Sequence, residues 1–113
     1  MLTMYAIANC DTVKKARAFL EKKKITYEFV DFKKRVPTSE EIMRWEKFWG
    51  EIPANKKGIT YKKYKAEFEA LTNDEKVNFL IKNTSMIKRP ILEMNKKTLA
   101  MGFDEENYNN LKF

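Results

Sequence analysis

The sequence predicts an α/β fold with the order β-α-β, a helical insert, then β-β-α, on a small mixed sheet. Three observations predict it. The apolar run Leu2–Ile7 and the β-branched, aromatic stretch Ile25–Phe32 flank a segment of helical periodicity. From Pro37 to about residue 84 the patterns are helical only. Two short strand patterns, 89–93 and 98–101, then lead into a final helix start.

Each element has its own signal. Between Asp11 and about Lys23, Val13, Ala16, Phe19 and Leu20 recur at helical spacing, with Lys14, Lys15, Arg17 and Lys22 on the other side. A strand–helix–strand crossover is right-handed, so its two strands lie parallel. Pro37-Thr38-Ser39-Glu40-Glu41 opens a helix, Thr38 and Glu41 having capping-box spacing. Ile42, Trp45, Phe48 and Trp49 follow on one face of it. Gly50, Pro53 and Gly58 punctuate a loop. A second helix begins near Thr60 with Tyr61, Tyr64 and Phe68 in register, and a third at Thr72-Asn73-Asp74-Glu75, which buries Val77, Leu80 and Ile81. Arg89–Glu93 is a strand opened by a proline. Thr98–Met101 is its hairpin partner across Asn95-Lys96-Lys97, and Asp104 caps a last helix with Tyr108 and Leu111 facing inward.

At 113 residues the chain reads as one domain, 1–113, with the insert at about 37–84. Hydrophobic residues make up 43% and charged residues 35%, a balance that supports a folded core rather than disorder. No apolar run approaches the roughly 20 residues of a membrane span, and no leader pattern precedes the first strand. One cysteine cannot form an internal disulfide, so a cytoplasmic location is expected. The net charge of +7 favours anionic partners, glutathione and acidic proteins among them. Nucleic-acid binding is not expected: Lys56, Lys57, Lys62 and Lys63 interleave with Tyr61 and Tyr64, but this reads as the solvated face of a helix whose tyrosines pack inward.

The chemistry centres on Cys10, the single cysteine, at the junction of the first strand and the first helix. Unpaired N–H groups and the dipole at a helix start favour a thiolate, as do Lys14 and Lys15 one turn on; Asp11 opposes it. The amides of Thr12 and Val13 are expected to point at the sulfur, and the Thr12 hydroxyl to bond to it or to a bound anion. The competing role for a lone cysteine is as a small apolar packing group, and its place in the turn argues for reactivity instead.

The residue inventory excludes several mechanisms. There is no histidine for a Cys–His pair, no set of Cys and His ligands for a zinc site and, with Val13, no Cys-x-x-Cys relay. An oxyanion loop of the Cys-x5-Arg type needs arginine at position 16, which is Ala16, with Arg17 one place late. What remains is a one-thiol mechanism: Cys10 attacks a disulfide or an electrophilic oxyanion, and an external thiol such as glutathione resolves the adduct.

Four segments in order, Asn9-Cys10-Asp11-Thr12-Val13-Lys14-Lys15-Ala16-Arg17, Lys57-Gly58-Ile59-Thr60-Tyr61-Lys62-Lys63, Ile87-Lys88-Arg89-Pro90-Ile91-Leu92 and Gly102-Phe103-Asp104-Glu105, resemble the ArsC/Spx family and most closely its YffB-type branch. The resemblance spans nearly the whole chain. It implies a thioredoxin-like fold interrupted by a helical insert, with Cys10 as the redox or arsenate-attacking nucleophile. It implies a cis proline at Pro90 beside that cysteine, and an oxyanion role for Arg89. Glutathione-coupled arsenate reductases of the family carry three arginines around the cysteine; here Arg89 alone matches, with Lys56 or Lys57 where a second would lie, and lysine does not replace a bidentate arginine. The Spx branch binds RNA polymerase and uses a Cys-x-x-Cys switch, which Val13 removes.

The expected protein is therefore an arsenate reductase-like thiol oxidoreductase with no bound cofactor. Cys10 is its nucleophile, glutathione its co-substrate, and Asn9, Thr12, Lys15, Arg89 and Pro90 its binding residues. The alternative is a Spx-like regulator that binds an RNA polymerase subunit without catalysis.

Overall fold

The computed structural model describes residues 1–113 and runs β1 (Leu2–Ala6), α1 (Asp11–Lys22), β2 (Tyr27–Asp31), α2 (Ser39–Trp49), α3 (Ile59–Glu69), α4 (Asn73–Lys82), a single 3-10 turn (Thr84–Met86), β3 (Ile91–Met94), β4 (Lys97–Met101) and α5 (Glu105–Asn109). The chain forms two compact units, one of Met1–Arg35 with Arg89–Phe113 and one of Val36–Lys88.

The first unit holds the whole sheet, in the order β2-β1-β3-β4. β1 and β2 are parallel, as the helical crossover between them requires, with Leu2 opposite Tyr27 and Ala6 opposite Asp31. β3 is antiparallel to both β1 and β4. Alternate β1 residues Leu2, Met4 and Ala6 point into a core completed by Val13, Ala16, Phe19 and Leu20 of α1, Leu92, Ala100 and Tyr108. The β3–β4 hairpin closes on two residues, Asn95 and Lys96, both at positive φ, rather than on three: such a turn matches the strand twist and lets Lys97 join β4. Asp104 caps α5 by accepting from the Glu106 and Asn107 amides.

Tyr108 shows how the last helix is fastened. Its ring lies edge-on to Phe19 at 5.6 Å and to Phe103 at 4.8 Å, and its hydroxyl donates to the Gly102 carbonyl at 3.0 Å. Burial pushes its ionisation above the ordinary tyrosine value of 10.0. A raised acid pKa in the folded state means stability that is complete below the unfolded value and declines as pH climbs past it. Tyr108→Phe is thus expected to cost about 1 kcal/mol at neutral pH for the lost hydrogen bond. It should also lessen the destabilisation above about pH 10, read as urea midpoints across pH.

In the second unit, Thr38 and Thr72 each form the full capping box, with Glu41 and Glu75, that their spacing predicts. Gly50 ends α2 at φ 91, a left-handed position that favours glycine. Ile42, Trp45, Tyr61, Phe68, Val77 and Leu80 are buried, and Phe68 and Phe79 pack edge-on at 5.6 Å. The expected four-residue face of α2 is halved: Ile42 and Trp45 are buried, whereas Phe48 is 46% and Trp49 41% exposed. They fall on the last turn, and the ammonium of Lys88 sits 4.8 Å from the Trp49 ring. Tyr61 and Tyr64 pack inward against Phe68 and Phe79. No helix is long and apolar enough to cross a membrane.

Candidate active site

The site is built where β1 ends. After Ala6 the chain turns through Ile7, Ala8 and Asn9, and Cys10 is the N-cap residue of α1, with extended backbone (φ −150°, ψ 127°). Its carbonyl accepts the first helical hydrogen bond, from Lys14 N–H at 2.9 Å, and its own N–H donates to the Ala8 carbonyl at 3.1 Å. Both bonds hold the cysteine backbone in place.

The side chain departs from expectation. The Cys10 sulfur makes no capping hydrogen bond to the α1 amides; the half-buried side chain packs against the apolar core of the first unit. A thiol is a weak acceptor, and the contact with that core takes precedence over the amides.

The other predicted residues sit in two groups. Asn9, Thr12 and Lys15 are exposed on the turn and the first turns of α1. Arg89 and Pro90 enter the same unit just before β3. The register places Ile91 opposite Tyr5, so Pro90 precedes β3 at the end of the sheet from which the Cys10 turn leaves β1. Pro90 is buried, its peptide bond with Arg89 is cis, and its carbonyl accepts from Gly102 N–H at 2.8 Å. Arg89 is half-buried. Lys56 is engaged by Glu51 at 2.9 Å, a contact that raises its pKa. No group of three or more His, Cys, Asp or Glu side chains is placed to hold a metal ion.

Arg17 does not share the solvent side of α1 with Lys14, Lys15 and Lys22 as its spacing predicts. It is half-buried: its Nε donates to the Tyr27 hydroxyl at 3.0 Å, and its guanidinium lies 4.1 Å from the Phe29 ring centroid. Both aromatics belong to β2. The available signal was the seven-residue interval from Cys10, which brings Arg17 to nearly the same helix face two turns on.

A four-stranded mixed sheet with a parallel β-α-β start, a cysteine at the first helix N-cap and a cis proline before the antiparallel β3 define a thioredoxin-like protein with a helical insert. The ArsC family model matches residues 5–111, and the chain belongs to the ArsC family. Among solved structures it is similar to the YFFB protein, at 33% identity and a TM-score of 0.84 over 96% of each chain. It is also similar to an arsenate reductase (ArsC) related protein from Brucella melitensis, at 33% identity and a TM-score of 0.73 over 96% of this chain and 91% of that one. The global transcriptional regulator Spx of Listeria innocua is 27% identical over 94% of this chain and 82% of its own length.

Proposed function

We propose that the protein is a single-cysteine thiol oxidoreductase of the arsenate reductase-like type, with Cys10 as nucleophile and glutathione as the resolving thiol. The observation that carries the reading is Cys10 fixed at the helix N-cap, at the end of the sheet where the chain enters β3. The thiolate attacks one sulfur of a disulfide, forms a mixed disulfide and expels the other half as a thiolate. Glutathione thiolate then attacks that mixed disulfide, carries off the bound half as a new disulfide and returns Cys10 as thiolate. Asn9, Thr12 and Lys15 edge the approach, Arg89 attracts anionic groups, and Pro90 shapes the thiol-binding surface. With one matching arginine, disulfides are favoured over arsenate as substrates. The test is turnover of a small disulfide driven by glutathione. Turnover that saturates in disulfide supports the reading, and a rate equal to that without protein overturns it.

The likeness to Spx supports a second reading, in which the chain binds an RNA polymerase subunit. Cys10→Ser separates the two: a regulator retains polymerase capture in that variant, whereas an enzyme loses turnover.

A further inference from the structure

An open groove of about 490 Å³ runs in the first unit between α1 and the edge strand β2. It starts at the active-site turn: Ala8, whose carbonyl takes the Cys10 N–H, forms one wall. The Phe29 ring and Arg17 line it further along, and Lys34 and Arg35 follow β2. The cations Arg17, Lys34 and Arg35 outnumber the acids Glu28 and Asp31, and one oxygen of Asp31 already accepts the Lys33 amide at 2.9 Å.

Arg17 is built as an anchor. The contact over Phe29 and the Nε bond to Tyr27 hold the guanidinium in place before any ligand arrives. A pre-ordered planar fork loses less side-chain freedom on meeting a carboxylate than a free lysine would. Seven residues along a helix separate Arg17 from Cys10, roughly 10 Å at 1.5 Å per residue. That is about the span of three extended residues at 3.3–3.6 Å each.

We propose that this groove is the anion-binding arm of the Cys10 site, with Arg17 anchoring a carboxylate of an acidic, peptide-sized thiol or disulfide whose sulfur reaches Cys10. The proposal rests on the reading of Cys10 as a nucleophile and adds the subsite that holds the substrate's carboxylate. Arg17 binds the substrate away from the reacting sulfur, so it governs which disulfides are taken rather than the exchange step. The chemistry is the same exchange: Cys10 forms a bond to one sulfur, and the other half leaves as a thiolate.

Two measurements test it. In the first, Cys10 of the full chain reacts with an anionic aromatic disulfide, dithiobis(nitrobenzoate), and with a neutral one, dithiodipyridine. Arg17→Met keeps the apolar stem over Phe29 and removes the charge. It is expected to slow the anionic reagent about tenfold and leave the neutral one within about twofold, the size of effect a lost charged hydrogen bond produces. Lys22→Met removes an equal charge from the far end of α1 and should slow neither. An equal loss for both reagents, or an equal effect of Lys22→Met, overturns the proposal. Should Arg17→Met fail to fold, Arg17→Gln takes its place.

The second measurement does not need a reactive thiol. In Cys10→Ser, S-methylglutathione should shift the amide NMR signals of Ala8, Arg17 and Phe29, and Arg17→Met in that background should abolish the shifts. Shifts at these amides uphold the groove even if wild-type Cys10 proves inert, which would defeat only the enzyme reading. Their absence overturns the groove whatever the thiol does.

Discussion

Cys10→Ser is expected to reduce glutathione-driven disulfide turnover to the rate without protein, while leaving the fold intact. Serine is close to cysteine in size, and Cys10 holds its turn through backbone atoms: its N–H to Ala8 and its carbonyl to Lys14. The sulfur makes no capping bond that the substitution would break, and a serine hydroxyl at an N-cap is itself well suited to bond α1 amides. The variant should therefore unfold at the same or slightly higher urea concentration than wild type. Its chemistry is lost because a hydroxyl is un-ionised at neutral pH and no histidine exists anywhere in the chain to act as its base. No second thiol can account for residual exchange, since Cys10 is the only cysteine. Turnover by Cys10→Ser above the rate without protein would show that the measured activity does not pass through this site.

Trp45→Ala is expected to be the most destabilising single truncation in the second unit, at about 3–5 kcal/mol. Trp45 is the largest of the fully buried side chains and lies on the inward face of α2 with Ile42. The change leaves a cavity that helices fixed by capping boxes at Thr38 and Thr72 can close only in part. Against a total stability of roughly 5–15 kcal/mol for a domain, the loss is large enough to bring much of the chain close to unfolding at 37 °C. Trp49→Ala, four residues on, should cost less than about 1 kcal/mol, because the ring is 41% exposed and its contact is the Lys88 ammonium. Urea denaturation of the pair checks both values, and equal costs would place Trp45 on the surface.

The same two tryptophans show where sequence pattern stops being informative. Helical spacing put Ile42, Trp45, Phe48 and Trp49 on one stripe, but a stripe says nothing about where the neighbouring element ends, and the last turn of α2 runs past its cover. Capping signals were more reliable because they are local: Thr38, Thr72 and Asp104 each bond the amides that their spacing predicts. The β-α-β start was legible because a crossover helix fixes both the direction and the neighbour of β2. Of the site, the Cys10 turn was readable from a strand signal meeting a helix signal. Placing Pro90 at the same end of the sheet needed the antiparallel register of β1 with β3, which no local pattern encodes. The place of Arg17 escapes local pattern for a related reason. Its charge marks it as a surface residue, and only the arrival of Tyr27 and Phe29 from β2 turns it into a half-buried clamp. The direction of the Cys10 sulfur was likewise set by core packing that helix-capping rules do not describe.

The most direct measurement is the intact mass of the protein after incubation with glutathione disulfide, followed by excess glutathione. A single glutathionyl adduct is expected on wild type, located at Cys10 by peptide mapping, absent from Cys10→Ser and removed by glutathione. An unmodified Cys10 under conditions where a denatured control is fully modified would contradict it, and retention of RNA polymerase by the same unmodified protein would place the chain with the Spx-type regulators.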